Sequence, residues 1–188
     1  MSRTIEATIK HTGAAAEKKS ASSTSQTMNA IRIHNYGGPE VLQYEEAPRP
    51  KPQAGEVLVR ARAAGVIPID RKIREGHMKD FWPHEFPLIL GWDSSGTVKE
   101  VGPGVSRFKI GERFTACEFA SSHPFVAGHP SGGQFAEIAK IIDSGNLAPI
   151  IDRILPLSEV RRAHELSQSG HTHGKIVLRI SNGNRTTE

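Results

Sequence analysis

Residues 91–105 read GWDSSGTVKEVGPGV. Two readings compete for this stretch, and the fold turns on the choice. Gly102-Pro103-Gly104 is the single G-x-G spacing among the 18 glycines of the chain. A G-x-G-x-x-G turn lets backbone approach a pyrophosphate when a strand precedes it and a helix follows with its N-terminal N–H groups free. Here the continuation is Val105-Ser106-Arg107, which lacks the third small residue, and Phe108–Thr115 carries a strand pattern where a helix is required. Thr97–Val101 therefore reads as a strand and Gly102–Gly104 as the plain turn that leaves it.

The same texture extends upstream. In Glu56–Ala63, Val57, Val59, Ala61 and Ala63 share one face at period two, which predicts a strand. Before it, Ile31 and Ile33 alternate with Arg32 and His34, Tyr36-Gly37-Gly38-Pro39 makes a turn, and Val41–Tyr44 is a second run, together a hairpin. Pro48–Pro52 is a proline-rich connection, and Pro68–Glu75 reads as a short helix stopped by Gly76. Downstream the period changes. Ser131-Gly132-Gly133-Gln134 has the form of a capping box, and Phe135, Ile138, Ala139 and Ile142 fall at helical spacing with Gly145 as the stop. Leu147–Leu157 reads as extended pieces broken by Pro149 and Pro156. Ser158 is the expected cap of a second helix through Leu166 that Gly170 ends, Lys175–Ile180 is a closing strand, and Asn182–Glu188 a frayed end.

A chain of 188 residues is long enough to bury a core without covalent staples. The lone cysteine, Cys117, excludes an internal disulfide framework and a four-cysteine zinc lobe, and fits a reducing compartment, the cytoplasm being the expected location. No apolar run approaches the ~20 residues of a membrane span, so no membrane partner is expected. The net charge is +4, but Arg3, Lys10, Lys18 and Lys19 against Glu6 and Glu17 put half of that excess in residues 1–27. The remainder shows no basic face interleaved with aromatics, so no nucleic-acid partner is expected either. Residues 1–27 are rich in Ala, Ser and Thr and poor in bulky apolar groups, which predicts a disordered tail. A transit peptide is the alternative, but such leaders avoid acidic residues.

These elements carry a family resemblance. Met28-Asn29-Ala30-Ile31, Tyr36-Gly37-Gly38-Pro39-Glu40-Val41-Leu42, Gly55-Glu56-Val57-Leu58-Val59, Ala64-Gly65-Val66, Gly91-Trp92-Asp93, Val101-Gly102-Pro103-Gly104-Val105 and Phe108-Lys109-Ile110-Gly111-Glu112-Arg113 follow in order. The series resembles the GroES-like half of the medium-chain dehydrogenase/reductase superfamily, in its zinc-independent, quinone-oxidoreductase-like branch. A second block, Pro130–Ile151 and then Pro156-Leu157-Ser158-Glu159 to Gly174-Lys175-Ile176-Val177-Leu178, is similar to the carboxyl-terminal portion of that family. The resemblance implies a mainly β fold with α: a GroES-like, partly open β-barrel plus C-terminal helix and strand segments. It also implies an NADPH-dependent reductase of quinones or enones that binds its nucleotide on a Rossmann domain.

That domain is largely absent from the sequence. One βαβ unit takes ~30 or more residues, and the interval from Ala116 to His123 offers almost none. The chain therefore divides into a tail (1–27), a GroES-like catalytic-type domain (28–117), a remnant last strand and helix of the nucleotide-binding domain (123–145), and a segment returning to the GroES-like domain (146–181). The alternative takes Gly132-Gly133-Gln134-Phe135-Ala136-Glu137 as the end of the GroES-like half, with the gap after Lys140; the helical spacing weighs against it.

The resemblance also locates candidate site residues. Zinc-dependent relatives place a Cys and a His where this chain has Ile67 and Trp92, which cannot ligate a metal, so no zinc is expected. Cys117 with His123 and His129, and His171 with His173, are conceivable metal groups, but loop histidines are usually just solvated. Zinc-free relatives often carry Asn at the Ile67 position, and Ile67 offers no hydrogen bond. Asp70 and Asp93 match acidic cleft positions; plainer roles are to tether the short helix and to anchor a turn. Lys72 and Trp92 would face the cleft as a polar group and an apolar wall, with Trp92 equally readable as core. Since the nicotinamide carries the hydride, a chain without the nucleotide clamp is expected to bind no NADPH tightly and to show little activity alone. The other expectation is a non-catalytic GroES-like module for interaction or homo-oligomerisation.

Overall fold

The structure is a computed structural model, and it describes residues 6–9, 27–117 and 132–181. Its elements in chain order are β1 (Glu6–Ile9), β2 (Thr27–Arg32), β3 (Gln43–Pro48), β4 (Val57–Val66), α1 (Pro68–Arg74), β5 (Asp93–Val101), β6 (Arg113–Cys117), α2 (Gly132–Asp143), β7 (Ile151–Pro156), α3 (Val160–Ser169) and β8 (Lys175–Arg179). The main sheet runs β6-β5-β4-β8-β7, with β1 also on β4, while β2 and β3 form a separate antiparallel pair. The architecture is mainly β with some helix, and the sheets are not closed.

β4 organises this arrangement. Val57, Leu58 and Val59 are buried in succession, so the strand is covered on both faces and not only on the one that period two marks. One edge pairs with β5 along most of its length. The other edge is shared: Ala63–Val66 pairs antiparallel with β8 and Val57–Arg60 with β1. Within the span 1–27, where a disordered tail is expected, four residues are a strand. Glu6–Ile9 is a strand because β8 leaves half of that β4 edge open, and unpaired backbone N–H and C=O groups there accept a further strand. Thr27 likewise belongs to β2, whereas the rest of the tail lies outside the described residues.

Two apolar clusters sit on β4. Val57 and Val59 pack with Val98 and Phe114, flanked by Val101, Val105 and Phe108. Val66 packs with Ile31, Ile33 and Leu42 from the N-terminal part and with Val160, Ala163, Ile176 and Leu178 from the C-terminal part. Each large aliphatic side chain buried there contributes roughly 1.5–3 kcal/mol, so the C-terminal residues are part of the core. β7 and β8 are parallel, which requires the crossover that α3 supplies. Polar bonds fasten α3 across the fold. Arg74, fully buried, donates from Nε to the Gly37 carbonyl at 3.0 Å, pairs through Nη1 with His164 Nδ1 at 3.0 Å, and donates from Nη2 to Glu75 Oε1 at 2.9 Å. Gln168 donates to the same Glu75 oxygen, and Arg161 to the Leu42 carbonyl.

Two local expectations shift. The strand expected over Phe108–Thr115 begins only at Arg113, because Lys109–Glu112 forms a turn in which the Lys109 N–H donates to Glu112 Oε2. Ser158 lies in a 3-10 turn and α3 is entered at Glu159 without a side-chain cap. α2 runs over Gly132–Asp143 and ends before Gly145, whose φ of +77° suits glycine; Ser131, the remnant last strand expected between residue 123 and this helix, and the frayed end lie outside the described residues.

Candidate functional site

The register places several chain segments at one end of the main sheet. Gly65 on β4 stands opposite Asp93 on β5 and opposite Val177 on β8, Asp93 stands opposite Cys117 on β6, and Ile151 on β7 opposite Lys175 on β8. The chain leaves the sheet at Cys117 and re-enters at Ile151 at this same end. Of the candidate residues, Ile67, Asp70 and Asp93 gather here.

Ile67 is extended and forms the N-cap of α1, with Pro68 at the first helical position, where a missing N–H costs nothing. It has no polar side-chain atom, so only the return half of a capping box exists: the Ile67 N–H donates to Asp70 Oδ2 at 2.8 Å. Asp70 is only 2 % exposed, and its other oxygen, Oδ1, is buried with no hydrogen-bond partner. Burial raises its pKa from 3.8 to about 7; the Ile67 N–H opposes that rise, Asp93 adds to it and Lys175 opposes it. Asp93 Oδ2 accepts from Lys175 Nζ at 2.7 Å, and Asp93 Oδ1 is buried without a partner. Gly65 makes room for the pair, since a Cβ there would meet Asp93 Cβ at 3.0 Å and Oδ2 at 3.1 Å. The result is a cluster of two carboxyls and one ammonium drawn from α1, β5 and β8.

Trp92 is half-buried, its ring centroid 4.8 Å from that of Trp82, which in turn lies 5.0 Å from His84. Burial depresses the His84 pKa, and its Nδ1 has no partner. Lys72 is exposed on α1. Sequence reasoning did not include Lys175 or the Trp82–His84 pair among site residues. Lys175 stood within the Gly174-Lys175-Ile176-Val177-Leu178 motif, which marked it as family pattern but not as a partner of Asp93.

The donor sets do not fit the groups the resemblance implies. Ile67 and Trp92 offer no metal ligand, and no group of three or more His, Cys, Asp or Glu side chains among the described residues is placed to hold a metal ion. His171 and His173 are exposed; Cys117's side chain, His123 and His129 lie outside the described residues. The Gly102–Gly104 segment does not fit a pyrophosphate. The Gly102 N–H is spent on the Glu56 carbonyl at 2.8 Å, the Gly55 N–H binds the Pro103 carbonyl, and a Cβ at Gly102 would lie 1.9 Å from the Gln53 carbonyl oxygen. That glycine serves a backbone crossing.

A mainly β-fold is completed by a returning β-α-β segment, with the Asp70, Asp93 and Lys175 cluster at the end of the sheet where the chain leaves and re-enters it. Residues 53–152 match the alcohol dehydrogenase GroES-like domain, and the chain belongs to that family. Within the medium-chain dehydrogenase/reductase superfamily it is quinone-oxidoreductase-like. It is 36% identical over 113 residues to the chloroplast envelope quinone oxidoreductase homolog of Arabidopsis thaliana, covering 60% of this chain and 32% of that protein. The quinone oxidoreductase of Coxiella burnetii superposes with a TM-score of 0.70 at 16% identity, covering 83% of this chain and 100% of the other. Mycobacterial Rv1454c, complexed with NADPH, gives 0.64 at 17% identity, covering 80% and 99%. The chain spans about a third of the length of the curated relatives it matches. No helix among the described residues is long and apolar enough to cross a membrane.

Proposed function

We propose that this chain is the substrate-side part of an NAD(P)H-dependent, zinc-independent quinone or enone reductase, in a shortened form with little or no activity alone. In this reading residues 28–117 are the GroES-like domain, 123–145 the last strand and helix of a nucleotide-binding domain, and 146–181 the segment that completes the GroES-like core. The observation that carries it is the interval from the end of β6 at Cys117 to the start of α2 at Gly132. Residues 118–131 are fewer than the ~30 that one βαβ unit takes. Positioning the nicotinamide against its acceptor is worth many kcal/mol in effective concentration, and a chain without the clamp forfeits it. Ile67, Asp70, Lys72, Trp92 and Asp93, joined by Lys175, are the proposed substrate-cleft positions, on the side that accepts quinone rather than nucleotide.

Calorimetric titration with NADPH and an assay of quinone-dependent NADPH oxidation test this reading. No heat of binding and no oxidation above the protein-free rate are expected; micromolar affinity or turnover would overturn it. A second reading, a non-catalytic module for interaction or oligomerisation, is favoured by the exposed isoleucines of α2 and β7. The lone cysteine suits the reducing cytoplasm, and fluorescence microscopy of the tagged full chain distinguishes that location from a plastid like that of the Arabidopsis relative.

A further inference from the structure

We propose that one face of the main sheet, carrying Arg60, Arg62, Arg113 and Arg179, is a docking surface for an anionic lipid bilayer, on which the chain lies without crossing it. The register gathers these residues. Arg60 on β4 stands opposite Thr97 on β5, and Thr97 opposite Arg113 on β6; in the next row Arg179 on β8 stands opposite Ala63, Ala63 opposite Ser95, and Ser95 opposite Thr115. Side chains alternate along a strand, and Ser95 and Thr97 are two apart, so both rows project from one face. The other face carries Gly96, Val98 and Phe114, which are buried. Arg62 sits between the rows, at the register shift of β4. Arg62, Arg113 and Arg179 are exposed, and among the described residues none of the three has an ion pair or a side-chain hydrogen bond. Of the acidic residues nearby, Glu6 stands opposite Arg60, and Asp93, two residues before Ser95, is already held by Lys175. Arg62, Arg113 and Arg179 thus leave the face a surplus of positive charge.

Dimensions and chemistry choose the occupant. The face spans four strands, β6-β5-β4-β8, and gaps of about 4.8 Å make it roughly 14 Å wide before side chains are counted. The major groove of a duplex is about 12 Å wide, so it does not admit this face. Between the arginines lie Ala63, Ser95, Thr97 and Thr115, without an aromatic ring on which an unpaired base could stack. An extended acidic peptide adds to the edge of a sheet or fills a groove, and these arginines stand on the flat of the sheet. A bilayer is broad, its phosphates move laterally to whatever spacing the arginines have, and guanidinium forks bind phosphate oxygens. Clusters of about four to eight basic residues hold chains on anionic leaflets, each residue adding roughly five-fold in affinity. No membrane partner is expected of a chain that lacks an apolar span, but lying on a surface needs no span, and arginines at 60, 62, 113 and 179 form no basic run along the sequence.

This inference goes beyond the reductase reading and fails separately from it, because the measurement uses neither NADPH nor quinone. The full chain is expected to co-sediment with phosphatidylcholine vesicles that contain phosphatidylserine and not with phosphatidylcholine alone. Raising salt from about 0.1 M to about 1 M is expected to release it, as the screening length shrinks from ~10 Å to ~3 Å. The triple variant Arg62→Gln, Arg113→Gln, Arg179→Gln is expected to bind about 100-fold more weakly, with an unchanged urea midpoint because those side chains are exposed. Lys79→Gln, Lys140→Gln, Arg162→Gln removes the same charge from exposed positions off this sheet and is expected to keep the wild-type affinity. No binding to the anionic vesicles, a triple arginine variant that binds as wild type, equal losses in the two triple variants, or tighter binding of a DNA duplex or of polyglutamate than of the vesicles would each overturn the proposal.

Discussion

Replacing Asp70 by Asn is expected to change how stability depends on pH, in the direction opposite to replacing His164. Burial raises the Asp70 pKa from 3.8 to about 7. Between those values the folded chain keeps a proton that the unfolded chain has released, so stability falls as pH rises. The favourable state is fully present below about 3.8 and is lost as pH climbs toward 7. His164 behaves in the reverse sense: burial, with the Arg74 charge beside it, pushes its pKa from 6.5 down to about 4. There the unfolded chain binds the extra proton, so stability is present above about 6.5 and is lost as pH falls toward 4. At 1.36 kcal/mol per unit, each group is worth about 3 kcal/mol between pH 7 and pH 4, and the two contributions nearly cancel in the wild type. Asp70→Asn leaves only the His164 contribution, and its stability relative to wild type should drop by about 3 kcal/mol as pH falls from 7 to 4. His164→Gln should rise by about the same amount. Urea unfolding followed by the fluorescence of Trp82 and Trp92 measures both, and the other carboxylates cancel because they titrate in all three chains. An Asp70→Asn curve parallel to the wild type across the range would refute the claim that this carboxyl is folded around in its neutral form.

Two further substitutions probe the frame. Gly102→Ala drives a methyl group to 1.9 Å from the Gln53 carbonyl oxygen and 2.9 Å from that of Glu56, and is expected to cost about 3 kcal/mol by overpacking; an unchanged urea midpoint would count against the backbone crossing. Arg74→Met strips a buried donor from the Gly37 carbonyl, His164 Nδ1 and Glu75 Oε1 at once, at an expected cost of about 3–5 kcal/mol. Arg74→Lys should recover only part of that in thermal denaturation, because one ammonium does not reproduce a guanidinium fork.

Much of the fold was legible because its signals are local. Period two in Val57–Ala63 and helical spacing in Ile138–Ile142 act within a few residues. The glycine stops at 145 and 170, with φ of +77° and +71°, follow from single-residue sterics. The turn at Gly102 was legible for the same reason, and its surroundings explain why glycine is required. The short strand at Glu6–Ile9 was hidden, since nothing within that segment states that β4 has an open half-edge. The turn at Lys109–Glu112 was hidden too, because alternating apolar residues fit a strand until a carboxylate at i+3 captures the Lys109 N–H.

For the candidate site, the chain alone marked Ile67, Asp70, Lys72, Trp92 and Asp93 through family motifs, and two of those side chains, Ile67 and Trp92, offer zinc no ligand. Sequence by itself determined the order of strands and helices, the absence of a nucleotide fingerprint and the short interval from Cys117 to Gly132, because each depends on residue identity and spacing along the chain. Tertiary structure decided that Lys175 neutralises Asp93 across 82 residues and that Arg74 meets His164 across 90. It also decided that Asp70 loses its solvent and that the isoleucines of α2 keep theirs. Burial and charge pairing are properties of what arrives beside a residue in space, and no spacing rule along the chain encodes them.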